Sequence, residues 1–196
     1  MKFNFTLLDV SCLIACLPWP PVQGMSKTKK WFKDNIETPM RKNGIKLTLR
    51  TVRVNNSLKK PGPVFVEMAR AAYIAGADYF YRINDDTEML ENWPEHFVRS
   101  LHRFPSLTPV EDGDADKFLK KPYGVLGPGC QQGKTTILTH DFVHRTHMEI
   151  FEMNYYPPQL VDWWMDDWIS FVYGQQRTFR ANSVPVVHHT GAHGQR

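Results

Sequence analysis

Cysteine is scarce in this chain of 196 residues, with only Cys12, Cys16 and Cys130 present. The count is odd and no Cys-x-x-Cys pair occurs, so neither a disulfide framework nor a thiolate zinc site is indicated. Long apolar runs are missing too. The stretch from Phe3 to Leu17 is broken by Asp9 and is too short to span a bilayer. Residues 1–25 therefore read as an atypical N-terminal segment, a weak signal or a truncated region, and membrane association stays open. No large excess of one charge is present: 24 Lys and Arg face 20 Asp and Glu, a formal +4. The densest basic spots, residues 27–30 and Lys120-Lys121, lack the interleaved aromatics of a single-strand groove, which argues against nucleic acid as a partner. A mildly basic surface still suits an anionic small molecule such as a nucleotide diphosphate.

Two further motifs fail for want of single residues. Gly129, Gly133, Lys134 and Thr135 look like a phosphate loop, but the spacing demands a glycine where Pro128 stands. Asp112, Asp114 and Asp116 alternate as in a calcium loop, yet Lys117 replaces its glycine and Tyr123 its glutamate.

What remains is an ordinary globular composition, 42% hydrophobic and 22% charged, with a high aromatic share of 13%. The length suits one domain, expected over residues 26–196. Residues 46–54 alternate apolar and polar, which predicts a half-buried strand. Pro63 opens a helix that ends at Gly76. Residues 78–83 are aromatic and β-favouring, so a strand is expected there. Strand, helix and strand in succession predict a right-handed βαβ unit. Further elements are a helix from Pro94 with Phe97, Leu101 and Phe104 on one stripe, and a strand over 123–126 leading into a turn at Gly127-Pro128-Gly129. A strand over 136–139, a helix over 141–151, a helix over 162–173 and a last strand over 183–188 follow. The fold class expected is α/β with a mostly parallel sheet.

Three clusters could carry chemistry. Asn84, Asp85 and Asp86 follow a strand, and open α/β sheets bind ligands beyond the carboxyl ends of their strands. Carboxylates there suit Mg²⁺ or Mn²⁺ shared with substrate phosphates. Asp166 and Asp167 lie near a helix start, where the dipole favours the ionised form and a carboxylate can act as a general base. Trp163, Trp164 and Trp168 surround them. His188 and His189 close the last strand and are good ligands for a transition-type ion.

The order of these clusters resembles the GT-A fold of nucleotide-diphospho-sugar transferases, over about residues 45–193. Asn84-Asp85-Asp86 looks like the family's Asp-x-Asp metal motif, with Asn in first position. Asp166-Asp167 looks like its x-Glu-Asp motif, with Asp for Glu. His188 or His189 looks like its C-terminal metal-binding histidine, and Gly127 to Gly129 like its glycine-containing donor loop. The resemblance implies a Rossmann-like, mostly parallel sheet flanked by helices. The family's first, nucleotide-binding strand falls in residues 1–45, where no convincing apolar strand is seen.

It further implies an inverting, metal-dependent glycosyltransferase with a nucleotide-sugar donor and a glycan, protein or lipid acceptor. Mn²⁺ or Mg²⁺ would sit on Asp86, Asp85 and His188 or His189. Asn84, Arg82, Gly127 and Gly129 would meet the donor, and His140, Asp141, Trp163 and Trp164 the acceptor. Asp167, with Asp166 beside it, would be the base. A Golgi-lumenal setting follows by resemblance, with the cytoplasm not excluded. Two other readings stand beside this one. The chain could be an inactive binding module, or a zinc hydrolase using His140, His144 and His147, whose spacing approaches His-Glu-x-x-His with Asp141 in place of Glu.

Overall fold

The computed structural model describes residues 13–16, 30–43, 49–52, 54–84, 86–103, 121–132, 134–162 and 164–189. The chain forms two compact units, Met1–Ala77 and Asp78–Arg196. In the first, strand β1 (Leu13–Cys16) pairs in parallel with β2 (Leu49–Val52). A five-residue π-helical stretch (Lys33–Glu37) and the short helix α1 (Thr38–Lys42) stand between them in sequence. Helix α2 (Pro61–Ile74) packs on both strands. Pro61 and Pro63 lie in its first turn, where the missing N–H groups would be unpaired anyway. Gly76, at φ +86°, ends it. A strand thus does form within residues 1–45, at β1.

The second unit holds β3 (Tyr79–Arg82), β4 (Thr87–Met89), α3 (Trp93–Leu101), β5 (Val125–Cys130) and β6 (Asp141–His144). Helices α4 (Thr146–Ile150) and α5 (Trp164–Phe171), a 3-10 turn (Gln175–Arg177) and β7 (Thr178–His188) complete it. The sheet order is β3-β6-β5-β7-β4. Only β5–β7 is parallel; β3–β6, β6–β5 and β7–β4 are antiparallel.

This corrects the expected mostly parallel, Rossmann-like α/β sheet. The βαβ unit predicted over residues 46–83 does not form, because β2 pairs with β1 while β3 pairs with β6. Periodicity marks a strand but does not choose its neighbour. The expected turn at Gly127-Pro128-Gly129 lies inside β5, residues 136–139 are turns and bends rather than a strand, and residues 141–151 are a strand followed by a short helix. The last strand begins earlier than expected, at Thr178.

The core lies between this sheet and its helices. Phe97 and Leu101 from α3, Val125 and Leu126 from β5, and Phe142 and Val143 from β6 are all buried. Tyr81, Trp93, Phe97 and Phe142 form a ring cluster with edge-on and tilted contacts of 4.6–6.1 Å between centroids. Phe104 and the acidic patch of residues 111–116 lie outside the described residues. No helix among the described residues is long and apolar enough to cross a membrane.

Central strand β5 tolerates Pro128 because the β5–β7 register shifts between Pro128 and Gly129. Its glycines permit close backbone approach. A Cβ on Gly127 would stand 2.3 Å from the His140 carbonyl oxygen, and one on Gly129 would stand 3.1 Å from Asn182 Cα. Gly127→Ala must therefore displace backbone, and we expect a loss of roughly 1–3 kcal/mol in urea unfolding. An unchanged midpoint would show that β5 and the turn before β6 are not held at this spacing.

Candidate functional site

Antiparallel registers assemble the site. In β3–β6, Arg82 stands opposite Asp141. In β4–β7, Thr87 stands opposite His188, and the His189 N–H donates to the Asp86 carbonyl at 2.8 Å. Two polar clusters result, at the end of β3 and just beyond it.

The first is centred on Arg82 and Asp141, whose side chains are almost wholly buried. Arg82 Nε donates to Asp141 Oδ2 at 2.8 Å, and its Nη2 lies 2.6 Å from the same oxygen. Arg82 Nη2 also donates to Asp166 Oδ1 at 2.7 Å. The Tyr155 and Tyr156 hydroxyls donate to Asp141 at 2.5 and 2.8 Å. Burial works against the guanidinium charge, but Asp141, Tyr156 and Asp166 outweigh it and raise the Arg82 pKa well above its usual value. Burial also pushes the Asp166 carboxyl up, against the pull of Arg82.

The second cluster joins Asp86, His188, Asn84, His140 and Thr87. His188 Nε2 lies 3.0 Å from Asp86 Oδ1, yet the ring N–H direction does not aim at that oxygen, so this is an ion-pair approach and not a hydrogen bond. Asp86 Oδ1 and His188 Nδ1 are buried and have no hydrogen-bond partner among the described residues. The Asn84 amide, 3.2 Å from His188 Nε2, can donate only when that nitrogen carries no proton. The Nε2 lone pair then accepts from Asn84, and a cation shared with Asp86 would have to displace that amide. Adjacent ligands of one ion at about 2.1 Å stand about 3 Å apart, so the pair fits Mg²⁺ or Mn²⁺. Among the described residues no three His, Cys, Asp or Glu side chains are placed to hold one metal ion together. Two protein ligands are enough where phosphates and water complete the shell.

His140 lies behind this pair. Its ring meets that of His188 edge-on at 5.1 Å, and its nitrogens bond Thr87 and Thr139 hydroxyls at 2.7 and 3.1 Å. Burial, then Arg82 and His188, lower its pKa to about 4.

The predicted residues are thus distributed as follows. Asp86, His188 and Asn84 come together, while His189 turns outward to Glu88 at 2.9 Å. Asp85 and Trp163 lie outside the described residues. Asp166 faces Arg82, and Asp167, next along α5, faces Lys134 Nζ at 2.7 Å. Gly127 and Gly129 sit within β5 and not in a loop. His140 and Asp141 are buried, whereas Trp164 is 70% exposed. Arg82 is drawn into the internal network.

His140, His144 and His147 do not share one helix face. His140 and His144 bracket β6, and His147 is engaged by the Tyr173 hydroxyl at 2.7 Å and the Tyr155 carbonyl at 2.8 Å. Sequence reasoning missed Thr87, Tyr155, Tyr156 and Lys134. The two tyrosines sit in a loop without periodicity, so nothing local marked them as buried.

Comparison of the chain with protein-family models, with curated proteins and with solved structures found no match.

Removing Arg82 would strand the buried Asp141 charge. Arg82→Met should lose roughly 3–5 kcal/mol in urea unfolding, more than Arg99→Met on the exposed side of α3, and equal losses would refute the buried pair. The histidines add a pH dependence. Burial lowers His140, His144 and His147 from 6.5 to about 4. They stay neutral in the fold, and the unfolded chain takes up their protons first. Their contribution is full above pH 6.5 and is lost as pH falls towards 4, by up to about 1.4 kcal/mol per pH unit for a fully buried group. Asp166, shifted upward, opposes this as one group against three. The urea midpoint should fall between pH 7 and pH 5; a flat or rising midpoint would show the rings to be solvated.

Proposed function

We propose that this chain is a metal-dependent glycosyltransferase, moving a sugar from a nucleotide-diphosphate donor to an acceptor hydroxyl with inversion. The observation that supports it is the Asp86–His188 pair. These residues come from distant parts of the chain, meet at 3.0 Å, and keep a buried carboxylate oxygen without a hydrogen bond among the described residues. Such an oxygen is unfavourable unless a cation or donor reaches it.

Asp86 and His188 would hold Mn²⁺ or Mg²⁺, and the ion would supply positive charge against the leaving diphosphate. The Asn84 amide holds His188 Nε2 until the ion takes that lone pair. The two acids of α5 divide their work. Asp166 is tied to the buried Arg82 and braces the helix against β3 and β6. Among the described residues Asp167 is paired with Lys134 alone, whose side chain is 58% exposed, so an entering substrate can displace that contact. Asp167 is therefore the base. As the acceptor oxygen bonds to the anomeric carbon, its proton passes to the Asp167 carboxylate and the diphosphate leaves with the electrons of the broken bond. Approach opposite the leaving group gives inversion. A Golgi-lumenal setting accompanies this reading by resemblance to the family's eukaryotic members.

Asp86→Asn keeps the shape and removes the charge. It should abolish the thermal shift that Mn²⁺ with UDP or GDP induces, while melting without metal stays unchanged or rises. Asp167→Asn should keep nucleotide binding and lower transfer by roughly 10²–10⁴-fold. Retention of Mn²⁺-dependent nucleotide binding by Asp86→Asn would sink the metal assignment.

A further inference from the structure

Helix α5 buries Met165, Ile169 and Ser170. Each helical residue advances about 100°, so Trp164, Asp167 and Phe171 share one stripe about 60° wide on the opposite side. Both rings are bare: Trp164 is 70% exposed and Phe171 65%. They stand seven positions apart, about 10.5 Å along the axis, with Asp167 between them. Lys134 Nζ meets Asp167 Oδ1 at 2.7 Å and brings an ammonium group to the same spot.

We propose that this stripe is a saccharide platform, and that the acceptor of the reaction is a glycan of at least two pyranose rings. The inference rests on the proposed role of Asp167, but the platform itself can be tested without it. A pyranose has a flat face of C–H bonds and a rim of hydroxyls. The negative faces of Trp164 and Phe171 attract such C–H groups. Asp167 accepts from hydroxyls and Lys134 donates to them, and a few placed polar groups among apolar walls fix a ligand's orientation. The axial rise between the two positions, about 10.5 Å, is close to the length of two linked pyranoses.

The charge at the centre selects this occupant over an apolar protein surface. A flat hydrophobic partner would seal Asp167 and Lys134 away from water and offer them no further bonds, which is costly. A saccharide gives both groups hydroxyls. A sugar seated across the stripe also presents a hydroxyl to Asp167, as proton removal requires.

The test uses saturation-transfer NMR on the full chain, with no nucleotide or divalent ion, so its outcome is independent of donor binding. The probes are cellobiose, lactose, N,N′-diacetylchitobiose and mannobiose, with sorbitol as a polyol lacking a flat face. At least one disaccharide should receive saturation on its ring C–H protons, and sorbitol none. Trp164→Ala and Phe171→Ala remove exposed rings and should leave the melting temperature unchanged while weakening that disaccharide roughly fivefold to tenfold each. No saturation of any disaccharide, equal saturation of sorbitol, or undiminished binding in both variants would overturn the proposal. So would a dimer of the wild type in sedimentation that Trp164→Ala converts to monomer, because the stripe would then be a contact between two copies. Loss of nucleotide binding with saccharide binding retained would reject the transferase reading and leave the platform standing.

Discussion

The buried pair of Arg82 and Asp141 ties together the parts of the second unit that matter most. Arg82 ends β3 and Asp141 begins β6, so the pair fixes the register of that antiparallel ladder. Tyr155 and Tyr156 bring the loop after α4 onto the same carboxylate, and Asp166 brings α5 onto the same guanidinium. A charge pair out of water needs all these bonds to offset its desolvation. One residue slipped along β3 would turn Arg82 to the opposite face and leave Asp141 unpaired.

The candidate metal pair depends on a second ladder. Asp86 lies one residue before β4, and β4 runs antiparallel to the end of β7, so the acidic turn and the terminal histidine must meet. Strand alternation then separates His188 from His189. His188 faces Asp86 and Asn84, and His189 faces Glu88 and solvent. His140 joins the two clusters. It lies between the Arg82 network and His188, and it is kept neutral by burial first, with the Arg82 charge adding to it. Without that neutrality a second positive group, beside Arg82, would press on the carboxylate–imidazole pair.

Helix α5 shows how one short segment separates roles by angle alone. Its buried face seats the helix through Met165 and Ile169. Asp166 pairs with Arg82, and Asp167, about 100° further round, pairs with Lys134 on the side that carries Trp164 and Phe171. The adjacent carboxylates therefore differ in their partners, although both side chains are largely covered. Burial raises Asp166, which is locked in the network, while Asp167, among the described residues, keeps only a displaceable lysine.

Much of the site was legible in order but not in arrangement. Asn84, Asp86, Asp167 and His188 stand out because carboxylates after a strand, acids at a helix start and a histidine at a strand end are local patterns. The helix at Pro61–Ile74, the strand at Tyr79–Arg82 and the helix at Trp164–Phe171 follow from periodicity and caps. Which strand lies beside which does not. Strands β3 and β6 pair antiparallel and carry a buried ion pair between residues far apart in the chain, and no window of sequence contains both. Gly127 and Gly129 read as a loop until the structure places the His140 carbonyl and Asn182 against them. Tyr155 and Tyr156 read as loop residues until Asp141 needs their hydroxyls. Neighbours within a few positions account for most helices, several strands and the chemical character of the candidate residues, but not for residues 127–129, 136–139 and 141–151. Only the tertiary structure decided partners, burial and the direction each carboxylate faces, since those depend on charges and backbones brought together from across the fold.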